Sequence, residues 1–428
     1  MLDTVKQILL RRATSPPLST HPTLGKAPHM SRIDGIAIWN GRESLGTASI
    51  DWQGDNIVSV GPSDTDASAL AEYGIIPGLV DTHVHISGYA GERTVDWSTW
   101  PIITPAAEKS LHIAANARKA AAMGITTLRD LAGDENQMAV ARAFDEGILP
   151  GPRLLVSGQV GMTAGHGDLF VPPHYPHRDP VADSPDECRK LVRHWARAGA
   201  TGIKIYLSGG VLSMGDKVGW RNQTLEEIRT TIDEAHALGM PVAAHTHSAE
   251  GVEIALAEGV DSIEHGTGIS STHWADLVAK NMPVAPTLLI NNFIADGTVS
   301  FSAEAQEKAQ AVVAERDAGF VGAGAAGVRF VLGTDSNGKF VKFGDQYEEI
   351  RMMAQSFEWT AERALVAATS DAADVVGLGA KVGTLAPGFG ADFIVMKGRP
   401  WQDIADMRVE NIVAVVSRGS VVFGELPL

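Results

Sequence analysis

The chain has 428 residues, 44% of them hydrophobic, and a formal net charge of −16; that is enough apolar material for a sizeable core and too acidic for a broad phosphate-binding face, so no nucleic-acid partner is expected. Its one cysteine, Cys188, excludes an intramolecular disulfide, which suits a cytoplasmic location. No stretch is long and apolar enough to span a bilayer, so no membrane partner is expected either.

In residues 1–31, Pro16, Pro17, Pro22 and Pro28 interrupt any regular period, and the segment reads as an extended N-terminal arm. Arg11-Arg12 follows a short apolar patch, but Asp3 is acidic and no apolar stretch of adequate length makes a targeting peptide. From Arg32 to Ile75 short strands alternate with turns, and the same texture returns from Gly383 to Gly424. Residues 32–78 and 380–428 are therefore expected to pair into one discontinuous β-sandwich domain beside a larger unit, 79–379.

That larger unit opens with Pro77-Gly78-Leu79-Val80-Asp81, an apolar run ending in His83-Val84-His85. Alternate side chains of a strand share a face, so two imidazoles one residue apart can hold a single ion from one side. Further strand-like runs follow at Ile125 to Leu131, Arg153 to Val160, Gly202 to Ser208, Pro241 to His247, Asp261 to Gly266, Met282 to Leu289 and Arg329 to Asp335. Helical patterns separate them, for example Asp186 to Ala198 and Gln223 to Leu238. Eight strand and helix units predict an α/β fold, a (β/α)8 TIM-type barrel with its active site at the C-terminal strand ends. Lys204, His245, His265 and Asp335 fall at such ends, as do His83 and His85.

Two motifs carry no chemistry. Gly322 to Gly327 satisfies G-x-G-x-x-G but precedes a strand instead of following one, so it reads as a helix-to-strand turn. Asn222-Gln223-Thr224 matches a glycosylation triplet with no secretory signal to support it.

Imidazoles and carboxylates suit zinc, and a bound divalent ion lowers the pKa of water from ~15.7 towards ~7. Lys204 cannot coordinate as an ammonium. Burial favours its neutral amine, which can add carbon dioxide and become a carbamate whose two oxygens bridge two metal ions. His166 in a glycine-rich loop, His247 two residues beyond His245 and Tyr206 two residues beyond Lys204 are the expected substrate contacts. Phe170 to Pro180 and Asn291 to Ser302 are expected pocket walls. Strand alternation sends Glu264 away from His265, towards a helix. Arg129-Asp130 reads as a buried ion pair.

These residues resemble the amidohydrolase superfamily, in its binuclear branch. The resemblance runs from about Arg32 onwards and rests on Pro77 to His85, Glu264-His265-Gly266, Leu332-Gly333-Thr334-Asp335 and Gly383 to Asp392. Thr163 to Asp168, and Lys204 followed by Ser208-Gly209-Gly210-Val211, are similar to the imidazolonepropionase-related subgroup of metal-dependent prolidases, Xaa-Pro carboxypeptidases and ochratoxinase. The resemblance implies that His83, His85 and Asp335 hold one ion and His245 and His265 the other, with carboxylated Lys204 between them. It implies attack by a metal-bridging hydroxide on an amide carbonyl, with Asp335 as general base and then acid and His247 assisting. Two divalent metals, a carbamate, a carboxylate and a hydroxide leave a net charge of about +1, which favours a carboxylate-bearing substrate such as an N-acyl amino acid or Xaa-Pro dipeptide. A homo-oligomer is expected on the same resemblance. A mononuclear ring hydrolase or deaminase, a lactonase or phosphotriesterase, and a non-catalytic scaffold are the alternatives.

Overall fold

The computed structural model describes residues 30–427 apart from 64–66, 98, 162–173, 175–179 and 214. Most of the expected N-terminal arm, His166, and all but His174 and Pro180 of the Phe170 to Pro180 wall lie outside the described residues.

In chain order the strands are β1 (Ser31–Trp39), β2 (Ser44–Gln53), β3 (Asn56–Pro62), β4 (Tyr73–Pro77), β5 (Leu79–Val84), β6 (Ile125–Gly133), β7 (Arg153–Gln159), β8 (Gly202–Tyr206), β9 (Val242–Thr246), β10 (Ser262–His265), β11 (Pro283–Ala285), β12 (Arg329–Phe330), β13 (Phe393–Lys397), β14 (Ile412–Ser417) and β15 (Ser420–Gly424). The helices are α1 (Trp100–Ile103), α2 (Ala106–Ala122), α3 (Glu135–Asp145), α4 (Pro185–Ala198), α5 (Leu225–Ala237), α6 (Ala249–Glu258), α7 (Trp274–Ala279), α8 (Leu288–Ala295), α9 (Ala303–Phe320), α10 (Gln346–Ser356), α11 (Ala361–Ala368) and α12 (Ser370–Val375).

One sheet joins strands from both parts of the chain in the order β15-β14-β13-β4-β1-β2-β3. It is antiparallel except where β1 lies parallel to β4. The alternation of short strands and turns predicts a sandwich of two packed sheets, whereas the strands hydrogen-bond into one continuous sheet that curls over itself. Trp52 of β2 meets Phe393 of β13 edge-on, with ring centroids 5.1 Å apart, and donates its indole N–H to the Gly419 carbonyl at 3.0 Å. A curled sheet and a sandwich give the same period-2 signal, so sequence alone does not separate them. Ile36, Ile38, Ile50 and Val395 fill the concave side, while Trp39, Ile76 and Ile394 on the other face join the main core.

The second sheet takes β5 to β12 in sequence order, and every neighbouring pair is parallel. Helices connect the strands, and their caps are written in the sequence. The expected helix from Gln223 starts at Leu225, where Thr224 and Glu227 form a reciprocal capping box. The sheet curls until its ends meet: Thr82 N–H donates to Leu332 O (3.0 Å), Asp335 N–H to His83 O (2.8 Å) and His85 N–H to Ser336 O (2.8 Å). Gly333 sits at this seam, where a Cβ would lie 2.7 Å from Ala285 Cβ. Only glycine permits that approach.

Two expected strands are shorter than their apolar runs. The run from Met282 stops as strand at Ala285, and Leu288 opens α8. Of Arg329 to Asp335 only Arg329–Phe330 is paired as strand. No helix among the described residues is long and apolar enough to cross a membrane.

Candidate metal centre

Histidines from three strands meet at the C-terminal end of the parallel sheet. His83 and His85, from the end of β5, both turn towards one carboxylate oxygen: His85 Nε2 is 2.9 Å and His83 Nε2 3.7 Å from Asp335 Oδ1. His265 lies between the groups, its ring centroid 5.0 Å from that of His83 and 4.7 Å from that of His245. His247 stacks on His265 at 4.6 Å.

The donor atoms form two triads, each within 4.8 Å: His83, His265 and Asp335, and His245, His247 and His265. His265 belongs to both. The expected partition put His85 with the first group and assigned His247 to substrate. The structure ties His85 to Asp335 and places His247 inside the second triad.

The backbone turns sharply where these ligands sit. His265 at φ 65°, Thr287 at φ 45° and Asp335 at φ 58° are left-handed residues other than glycine, at or just beyond the ends of the consecutive strands β10, β11 and β12. Such conformations cost about 1–3 kcal/mol each and cluster where a side chain must be re-aimed.

That turn explains Glu264. Alternation from His265 predicted that Glu264 points out towards a helix; instead it is fully buried inside the curled sheet. Its Oε1 accepts from Arg129 Nη2 (2.8 Å) and Ser262 Oγ (2.6 Å), and its Oε2 lies 2.9 Å from His83 Nδ1. Glu264 keeps the inward phase of β10, and the left-handed step swings His265 inward as well. Arg129 and Asp130 do not pair as expected: Arg129 bonds Glu264 and the Thr82 carbonyl (2.6 Å), while Asp130 accepts from the backbone N–H groups of Ile86 and Ala132, both at 3.0 Å.

Three of the imidazoles, His245, His247 and His265, are oriented through one nitrogen, which leaves the other for the centre. Thr287 Oγ1 lies 2.7 Å from His265 Nδ1, and Thr267 Oγ1 lies 3.0 Å from His247 Nδ1. Each threonine follows the strand next to the one carrying its histidine. His245 Nε2 donates to the Gly209 carbonyl at 3.2 Å. The two threonines leave no periodic signal in the sequence because they act from loops.

Asp81, also unread, accepts from the backbone N–H of His83 (3.1 Å), from Thr334 Oγ1 (2.6 Å) and from Gln346 Nε2 (3.0 Å). It thereby ties the two segments that present His83 and Asp335. Its burial raises its pKa to about 6.

Burial also sets the charge of the ligands. It lowers His83 to about 4, His247 to about 3 and His265 well below the usual imidazole range, so all three are neutral donors at pH 7. In Asp335, burial acts upward but is outweighed by the hydrogen bond and charge of His85, and the carboxyl falls to about 2. In His85, burial acts downward and the same contact with Asp335 overcomes it, leaving the imidazole raised.

Lys204 is buried within β8, its Nζ 5.6 Å from the Tyr206 ring centroid. Burial lowers its pKa to about 8 against the opposing charges of Glu264 and Asp335. Tyr206 donates its hydroxyl to Gln159 Oε1 and is not among the described residues lining the cavity above the histidines.

That cavity has a volume of about 600 Å³. His85, His247, His265 and Asp335 form its floor, Trp97, Trp100 and Phe340 part of its wall, and Arg93 and Lys339 its cationic side. Of the expected wall from Asn291 to Ser302, Asn291 and Ile294 line it.

The donor set fits a metal. His83 Nε2 is buried with no hydrogen-bond partner among the described residues, although it faces Asp335. An orphaned imidazole nitrogen next to an ionised carboxylate and further neutral imidazoles is the environment a divalent ion satisfies.

The amidohydrolase family model matches residues 75–422. Ochratoxinase of Aspergillus niger is 31% identical over 372 residues, which cover 82% of this chain and 75% of that protein. Imidazolonepropionase of Deinococcus radiodurans is 25% identical over 391 residues, 86% of this chain and 88% of that protein. A crystal structure of a Xaa-Pro dipeptidase with methionine bound in its active site is similar with a TM-score of 0.80 at 28% identity, covering 92% of this chain and 99% of that chain.

Proposed function

Because the chain belongs to the amidohydrolase family and is a hydrolase of carbon–nitrogen bonds, we propose that it cleaves the amide bond of a small carboxylate-bearing substrate, such as an N-acyl amino acid or Xaa-Pro dipeptide, at a binuclear zinc centre in a (β/α)8 barrel. The observation that carries this reading is the meeting of His83, His245, His265 and Asp335 in two overlapping donor triads, with His85 on Asp335 at 2.9 Å. His83, His85 and Asp335 would hold one ion and His245 and His265 the other, with carboxylated Lys204 between them. When bound, such ions supply Lewis-acid polarisation of a carbonyl and acidify water.

The chain's own residues do the rest. Asp335 is ionised and held by His85 at 2.9 Å, so it can take a proton from water and return it to the departing nitrogen. His247, neutral and oriented by Thr267, presents Nε2 towards the same space and would contact substrate or metal. Lys204 has a neutral fraction at pH 7 because its pKa is held near 8, which carbamate formation requires.

The cavity supports the substrate class. Arg93 and Lys339 offer cations to a carboxylate, and Trp97, Trp100 and Phe340 offer flat apolar surface to an acyl group or ring. The likeness to a Xaa-Pro dipeptidase supports a dipeptide-like substrate.

The test is a hydrolysis screen of N-acyl amino acids and Xaa-Pro dipeptides with metal analysis on the same preparation. About two metal ions per chain and loss of activity in Lys204→Ala are expected. A fully active Lys204→Ala protein holding one ion overturns the binuclear reading.

A further inference from the structure

The segment after β8 sends two hydrogen bonds into the imidazole cluster. The Gly209 carbonyl accepts from His245 Nε2 at 3.2 Å, and Ser208 Oγ accepts from the backbone N–H of His247 at 2.8 Å. The chain then folds back so tightly that a Cβ on Gly209 would lie 2.2 Å from the Lys217 carbonyl oxygen. Gly209 therefore sits where the fold-back leaves no room for a side chain, with its carbonyl against His245.

Asp216 is the centre of the fold-back. It is 5% exposed, and its Oδ2 accepts from Ser213 Oγ (2.7 Å) and the Gly210 N–H (3.2 Å). Its Oδ1 accepts from Lys308 Nζ at 2.6 Å. Lys308 also donates to the Ser213 carbonyl (2.7 Å) and pairs with Glu304 at 3.1 Å, whose Oε1 accepts from the Gly215 N–H at 3.0 Å. Lys308 and Glu304 stand one turn apart on α9, so one helix grips the loop at Ser213, Gly215 and Asp216.

We infer that Asp216 and Lys308 form a latch that positions His245 for metal binding by fixing the Gly209 carbonyl against its Nε2. This rests on the metal centre proposed above. A histidine whose Nε2–H is held by a carbonyl has one tautomer and one ring orientation, and presents Nδ1 as its donor. Releasing the carbonyl frees both. Neither latch residue is a ligand, so both are positioning residues, and their loss is felt at the ion that His245 holds and not at the ion on the β5 side.

The test compares zinc-loaded full-length wild type with Lys308→Met, Asp216→Asn and Lys308→Arg. Zinc release to a chromogenic chelator is followed beside thermal melting. Wild type is expected to release two ions slowly. Lys308→Met and Asp216→Asn should release one of them about tenfold faster and the other at the wild-type rate, with Lys308→Arg restoring slow release. Unchanged release of both ions overturns the latch. So does equal acceleration of both ions alongside a lowered melting temperature, or failure of all three variants to fold, since a merely structural pair behaves that way. Wild type that binds no zinc overturns the metal centre itself, and the latch with it.

Discussion

Glu264 Oε2 lies 2.9 Å from His83 Nδ1, deep inside the curled sheet. Glu264 falls to about 2 because Arg129 and His83 outweigh its burial. A folded pKa below the ordinary 4.5 means that the carboxylate stabilises the fold above pH 4.5 and loses that effect as pH falls through 4.5 towards 2. Acid unfolding of Glu264→Gln, followed by circular dichroism, should lack this component. Arg129→Met should cost about 3–5 kcal/mol in urea unfolding because it strands a buried charge. Arg129→Met combined with Glu264→Leu should cost less, and a double variant as unstable as the sum of the singles would contradict the pairing.

Asp335 is expected to govern proton transfer. Asp335→Asn should lower kcat by about 10²–10⁴-fold and cost at most the one ion that Asp335 would hold. The same substitution removes what raises His85. An NMR titration of metal-free protein should then show its imidazole pKa drop, and an unmoved His85 would refute the contact.

Carbamate formation on Lys204 should follow the neutral amine. With the pKa near 8, the neutral fraction rises with pH and falls about tenfold for each unit below 8. At fixed dissolved carbon dioxide, uptake of ¹³C label into metal-free protein should track that curve by NMR. A rate independent of pH, or an equal signal in Lys204→Ala, would place the modification elsewhere.

Trp97 packs against Phe301 at 5.0 Å and Phe340 at 5.4 Å while lining the cavity. Trp97→Ala should raise KM for amides with a large aromatic acyl group by about tenfold, the equivalent of one good ring contact, and change KM for N-acetyl substrates little. Steady-state kinetics on the two series decide it.

The parallel sheet was readable because each of its strands is an apolar run, and the positions of His83, His85, His245, His265 and Asp335 followed from where those runs end. What alternation could not supply was direction after a left-handed residue. Glu264 was misassigned for that reason, since His265 breaks the phase that would have separated the two. Thr267 and Thr287 carry no signal for a different reason: each acts through one atom from a loop, and loops have no period; the motif that contains Gly209 is legible, but not the contact of its carbonyl with His245. Tyr206 shows a limit of another kind, because its placement on the strand face does not reveal the hydrogen bond from its hydroxyl to Gln159 Oε1.

The left-handed steps at His265, Thr287 and Asp335 bear on how such a centre could be transplanted. A designer copying only the side chains onto an ideal parallel sheet would project His265 outward, and the two triads would lose the donor they share. The bends are as much a part of the coordination chemistry as the imidazoles, and a graft must carry them.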